Sequence, residues 1–170
     1  IHDSSLNRLN NLATPKIRLS AGVDSRTSSG ANVTGLINFG EASGNVVSKY
    51  NNKITFLVNG RQCYYIQYAQ TLPSFTIQNG SFTVVGMFLF DSTSNTFARI
   101  VSTKNFDIAY HLGALFLPGN AIRFSGLNHN TWYFIGIVKT STTLTVYLNN
   151  ASQSITHNIS LNSPFLMGGR

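Results

Sequence analysis

Residues 130–170 read NTWYFIGIVKTSTTLTVYLNNASQSITHNISLNSPFLMGGR. Trp132 to Lys139 is an apolar run of strand length, rich in aromatic and β-branched residues. A polar turn follows it. Leu144 to Asn149 forms a second strand, closed by a tight polar turn at Asn149-Asn150. A third run leads to Pro164-Phe165-Leu166-Met167-Gly168-Gly169, where the glycine pair reads as a turn at a strand end. Successive short strands joined by polar turns predict β structure, and the rest of the chain keeps that pattern.

Working outward, Ser81 to Phe90 reads SFTVVGMFLF. Phe82, Val84, Gly86, Phe88 and Phe90 point one way, and Thr83, Val85, Met87 and Leu89 the other. Both faces are largely apolar, which predicts a central strand covered on both sides. Phe97 to Thr103 is the next strand. Ile108 to Leu117 and Ile122 to Phe124 form a pair around Pro118-Gly119-Asn120, and 126–130 is a loop. Upstream, Ile54 to Val58 and Arg61 to Tyr68 flank Asn59-Gly60, a strong hairpin turn because both residues tolerate positive φ. Val33 to Phe39 and Val46 to Tyr50 are weaker strands, and 24–32 is a loop by composition. Lys16 to Leu19 is a first short strand. Leu6, Leu9 and Leu12 suit a short helical turn capped by Ser4 or Ser5, or an arm packed on a neighbouring subunit. The expected organisation is an N-terminal arm over 1–15 and a single domain over 16–170.

The order of these elements resembles laminin-G-like modules of the concanavalin A-like jelly-roll superfamily. The segments ITF, Gly60, YYIQ and FTVVGMFLF are similar to that family's opening "f.G…yi…FTi..W", with Phe88 or Phe90 where the family has Trp. The ending from Trp132 through Tyr147 to Gly168-Gly169 is similar to "W…v…YvNG…lGg". The resemblance covers roughly residues 54–169. It implies an all-β fold: a two-sheet antiparallel β-sandwich of jelly-roll type with a short N-terminal arm. In two places the chain departs from the pattern. Tyr147-Leu148-Asn149-Asn150 stands for "YvNG", and Asn tolerates the left-handed backbone that such a turn needs. The family's closing strand after "lGg" has no counterpart before Arg170, which would leave an unpaired sheet edge. The expectation is that Lys16–Leu19 fills this gap or that the chain is cut after Arg170, rather than that a partner donates a strand.

The chain has 170 residues, enough for one domain with a sizeable core. Hydrophobic residues make up 42% and charged ones 10%, so it is not disordered by composition. Its 12 Phe and 7 Tyr suit strands. The net charge of +7 comes from scattered bases, which reads as a solvated surface rather than a nucleic-acid interface. Attraction to anionic glycans or to a negatively charged assembly stays open. Cys63 is the single cysteine and reads as a small buried hydrophobe. No apolar run reaches the length of a membrane span, and there is no charged-then-apolar leader. Sequons at Asn32, Asn79, Asn150 and Asn158 bear on the protein only in a secretory pathway.

Nothing in the sequence composes a catalytic site. Glu41 is the only Glu, and Asp3, Asp24, Asp91 and Asp107 stand far apart, whereas a retaining glycosidase needs two carboxylates about 5 Å apart. No Gly-X-Ser-X-Gly elbow accompanies His2, His111, His129 or His157. His111 reads as a hydrogen-bonded strand histidine and His157 as a solvent-facing one. No histidine pair has metal-ligand spacing. The expectation is no catalysis, no catalytic residues and no required cofactor. The resemblance brings in calcium at the sandwich rim, for which Asp91 and Asp107 are the eligible carboxylates.

Binding or assembly remains. A lectin-like site would stack sugars on exposed aromatics, with Tyr64, Tyr65, Tyr68, Tyr110, His129, Asn130 and Trp132 as candidates. The first reading is therefore a non-enzymatic recognition or adhesion module that binds glycans on a cell, virion or phage surface. The alternative is a structural subunit of a virion, fibre or other surface assembly with no ligand of its own. Partners are accordingly glycans or neighbouring subunits, including further copies of the chain.

Overall fold

The computed structural model describes residues 26–29, 32–36, 46–52, 56–58, 61–63, 70–71, 81–90, 98–103, 106–119, 121–158 and 166–167. Among them there are strands and turns and no helix. The expected arm over 1–15 and the strand Lys16–Leu19 lie outside the described residues. The chain forms two compact units, Ile1–Phe75 and Thr76–Arg170.

In the first unit, β1 (Arg26–Ser29), β2 (Asn32–Leu36) and β3 (Val46–Asn52) form an antiparallel meander, and β6 (Gln70–Thr71) pairs with β3. A separate hairpin joins β4 (Phe56–Val58) to β5 (Arg61–Cys63), with Val58 opposite Arg61. That register is the one a two-residue Asn59-Gly60 turn predicts. Arg26–Ser29 lies in the segment expected to be loop. It pairs through backbone groups that every residue carries, so a Ser-rich composition does not prevent it.

The second unit carries two antiparallel sheets. The first runs β14 (Ala151–Thr156), β13 (Thr143–Leu148), β12 (Trp132–Lys139), β7 (Phe82–Leu89). The second contains β8 (Ala98–Thr103), β9 (Phe106–His111), β10 (Ala114–Leu117) and β11 (Ala121–Ser125) in that order, with β15 (Leu166–Met167) beside β8. Their apolar faces meet. Tyr133, Ile135, Ile137, Leu144 and Val146 are buried on the first sheet, and Phe106, Ile108, Tyr110, Leu115 and Leu117 on the second. Burying such a side chain stabilises by about 1.5–3 kcal/mol. Aromatic contacts cross between the sheets. Phe90 stacks on Tyr110 at 4.1 Å, and Phe82 meets Phe106 edge to face at 5.6 Å. Offset and edge-to-face pairs add about 0.5–1.5 kcal/mol each beyond the burial.

Three expectations are corrected. Phe82–Leu89 is a strand, but among the described residues it ends its sheet instead of running through the middle, and only one of its faces is covered. Val85 and Met87 are each 49% exposed. The run Ile108–Leu117 is two strands, because the chain reverses at Leu112-Gly113, where φ is +46° and +75°. His157 is buried rather than solvent-facing. It follows the last residue of β14, its amide donates to the Thr142 carbonyl at 2.8 Å, and its ring stands edge-on to Phe106.

Candidate ligand-binding face

The outer face of the β14-β13-β12-β7 sheet is built by strand alternation. On β12, Tyr133, Ile135, Ile137 and Lys139 go to the core, so Trp132, Phe134, Gly136 and Val138 face outward. Register then fixes their neighbours. Trp132 lies opposite Leu89, Phe134 opposite Met87, and Gly136 between Val85 and Tyr147. Phe134 and Tyr147 are each 41% exposed, and Trp132 is half-buried. The rings of Phe134 and Tyr147 both reach over Gly136. A Cβ there would stand 3.5 Å from the Tyr147 ring and 3.6 Å from the Phe134 ring. The two rings therefore lean together over Gly136 and continue the strip formed by Val85 and Met87.

The turn after β13 sets the far end of this strip. Asn149 has φ of +51°, its amide donates to the Phe134 carbonyl at 2.9 Å, and its Oδ1 accepts from the Phe134 amide at 3.0 Å. One residue thus holds both backbone groups of Phe134. Beyond β13 the face turns hydroxyl-rich. Thr145 and Ser154 bond each other at 2.9 Å, and Ser152 lies opposite Tyr147.

The loop before Trp132 holds the other candidates. Asn130 has φ of +56°, and its amide donates to the Phe90 carbonyl at 2.8 Å. The Asn128 amide donates to the Tyr133 hydroxyl at 2.8 Å, and the Leu127 amide to the Gly113 carbonyl at 2.9 Å. His129 and Asn130 are exposed, and the His129 ring stands over Tyr110 at 5.8 Å. Tyr110 itself is fully buried between Phe90 and His129, so its face is not open to a sugar. Burial pushes its phenol above the usual range, with the Gly113 amide working the other way. The structure thus places Trp132 at one end of the outer face, and sets His129 and Asn130 in the loop before it, with the His129 ring against the buried Tyr110. Tyr64, Tyr65 and Tyr68 lie outside the described residues. Phe134 and Tyr147 were missed by the sequence reading.

Charge sits elsewhere. Lys139 closes β12 on the inner face, 1% exposed, and its ammonium donates to the Thr140 carbonyl and to the Ser141 carbonyl, the latter at 3.1 Å. Burial pushes this amine below its usual range. Burial also pushes His157 down, and the Lys139 charge adds to that. Asp107, the one acid among the described residues, lies 3.2 Å from the Arg99 guanidinium. A cation already beside it weakens Asp107 as a calcium ligand. Asp91 lies outside the described residues. Among the described residues no three His, Cys, Asp or Glu side chains gather as a metal site. No helix among them is long and apolar enough to cross a membrane.

No family model matches the chain, and no curated protein or solved structure is significantly similar to it.

Proposed function

We propose that the chain is a non-enzymatic recognition module that binds glycans at a cell, virion or phage surface. In this reading the two sheets of the second unit close a jelly-roll β-sandwich akin to laminin-G-like modules. The observation that carries it is the outer sheet face, where Trp132, Phe134 and Tyr147 share one surface. Exposed aromatic rings on a rigid sheet offer flat apolar area at little conformational cost. Sugars present a matching C–H face. His129 and Asn130, exposed in the loop that leads into Trp132, are the polar groups nearest in the chain.

A glycan array with and without calcium tests this reading. The expected result is binding to a defined set of glycans that does not require calcium and weakens in Trp132→Ala. An array on which nothing binds removes the reading. Cleavage of any glycan would replace it with an enzymatic one.

The edge strand β14 favours the second reading, a structural subunit. Ala151–Thr156 has no charge, no proline and no strand on its outer side among the described residues. Sheet edges that avoid self-association commonly carry one of those guards. Light scattering after size exclusion distinguishes the two readings. An assembly that ignores every glycan leaves the structural reading in place.

A further inference from the structure

The aromatic rings occupy only part of the outer face. Across the sheet, register aligns Val85, Gly136, Tyr147 and Ser152 in one row, and Thr83, Val138, Thr145 and Ser154 in the next. Along the first row the surface changes from aliphatic, through aromatic, to hydroxyl, and the second row is Val138 among hydroxyl residues. Thr143 and Thr156 extend the hydroxyl border. None of these outward side chains is charged, although the chain as a whole carries +7. The one base on the four strands, Lys139, points inward and spends its ammonium on two turn carbonyls.

We infer that this face takes a neutral glycan: uncharged pyranose units laid along β12 and β13. The inference rests on the glycan-binding reading above and names the ligand class. An uncharged pyranose has an apolar C–H face and a rim of hydroxyls. The C–H face meets Trp132 and Phe134, attached roughly 6.8 Å apart on β12, and Tyr147 on the neighbouring β13. The rim meets Thr143, Thr145, Ser152 and Ser154, which donate and accept without charge. A sulfated or uronic glycan would instead bury its anions against rings and neutral hydroxyls, where each charge loses water without gaining a cation. The net positive charge therefore does not predict the ligand of this face.

Titration of neutral and of sulfated or uronic oligosaccharides, at low and high salt, tests the inference. The proteins are the wild type, Phe134→Ala, Tyr147→Ala and Tyr147→Phe. Neutral oligosaccharides are expected to bind with an affinity that salt leaves unchanged. Each alanine variant is expected to lose about tenfold or more, and Tyr147→Phe to keep its binding because the stacking ring remains. Thermal melting of each variant checks that the fold survives. Capture of anionic glycans alone, weakening as salt rises, overturns this inference and leaves glycan binding standing. Neutral binding that both alanine variants retain overturns the placement on this face. An array on which nothing binds overturns both readings. An oligomer that dissociates on the same substitutions assigns the face to a second copy of the chain and overturns the inference.

Discussion

Leu112 holds φ at +46° with its side chain 69% exposed at the tip of the β9–β10 hairpin. A branched side chain in the left-handed region costs roughly 1–2 kcal/mol, and this one recovers little by burial. Leu112→Gly is therefore expected to stabilise the protein by about 1 kcal/mol, raising the melting temperature by a few degrees. A lower melting temperature would show that the leucine makes a contact worth more than its strain. The neighbouring Gly113 is different. Its φ is +75°, and an added Cβ would stand 3.1 Å from the Leu127 carbonyl oxygen. Gly113→Ala is expected to destabilise by about 1–2 kcal/mol in the same melting experiment. The hairpin was not legible in the sequence because His111-Leu112-Gly113-Ala114 lacks the usual turn residues apart from one glycine. Tyr110 is a similar case. An aromatic in a strand reads the same whether its ring faces a partner sheet or a ligand, and only the Phe90 and His129 rings on either side of it decide.

At the scale of elements, β12 and β13 were legible almost residue for residue, whereas the third run had no bounds in the sequence and the structure sets β14 at Ala151–Thr156. Trp132–Lys139 is the strand expected, and the Asn149-Asn150 turn is where its polar pair placed it. The physical reason is local: β-branched and aromatic runs favour strands, and Asn tolerates the left-handed backbone of the turn. Asn149 also bonds the Phe134 amide through its side chain, which gives a test of the two contributions. Asn149→Gly keeps the backbone and loses the bond, so a cost of about 0.5–1.5 kcal/mol is expected. Asn149→Ala loses the bond and strains the turn, and is expected to cost about 1 kcal/mol more. Equal denaturation midpoints for the two variants would mean that the turn conformation contributes nothing. β7 was legible as a strand but not as the end of its sheet. Val85 and Met87 look like core residues by hydropathy, and strand order depends on pairing between segments far apart in the chain.

For the whole second unit, the buried bases set a pH dependence. His157 lies in the core with its folded-state value pushed below the ordinary 6.5, by burial first and by Lys139 second. Above 6.5 the ring is neutral both folded and unfolded, and no penalty arises. As pH falls below 6.5 the unfolded chain takes up the proton and the folded protein does not. Stability is therefore lost between 6.5 and the lower folded value. The fall in unfolding free energy between neutral pH and pH 5 is expected to shrink in His157→Leu, measured by urea denaturation. It should also shrink in Lys139→Met, because removing that charge lets the His157 value rise. An unchanged pH slope in both variants would mean that other groups carry the acid sensitivity.

The sequence by itself determined that the described residues are β-structured, and where most strands of residues 81–158 lie within a few positions. Those properties follow from short-range preferences and from composition. Only the tertiary structure decided which alternation of β12 faces outward. Tyr133, Ile135 and Ile137 are as apolar as Trp132, Phe134 and Val138, so hydropathy alone cannot choose between the two faces. Pairing with β7 and β13, and the second sheet packed against one side, make that choice. The same choice sent Lys139 inward, buried Tyr110, and left Phe134 and Tyr147 side by side in solvent.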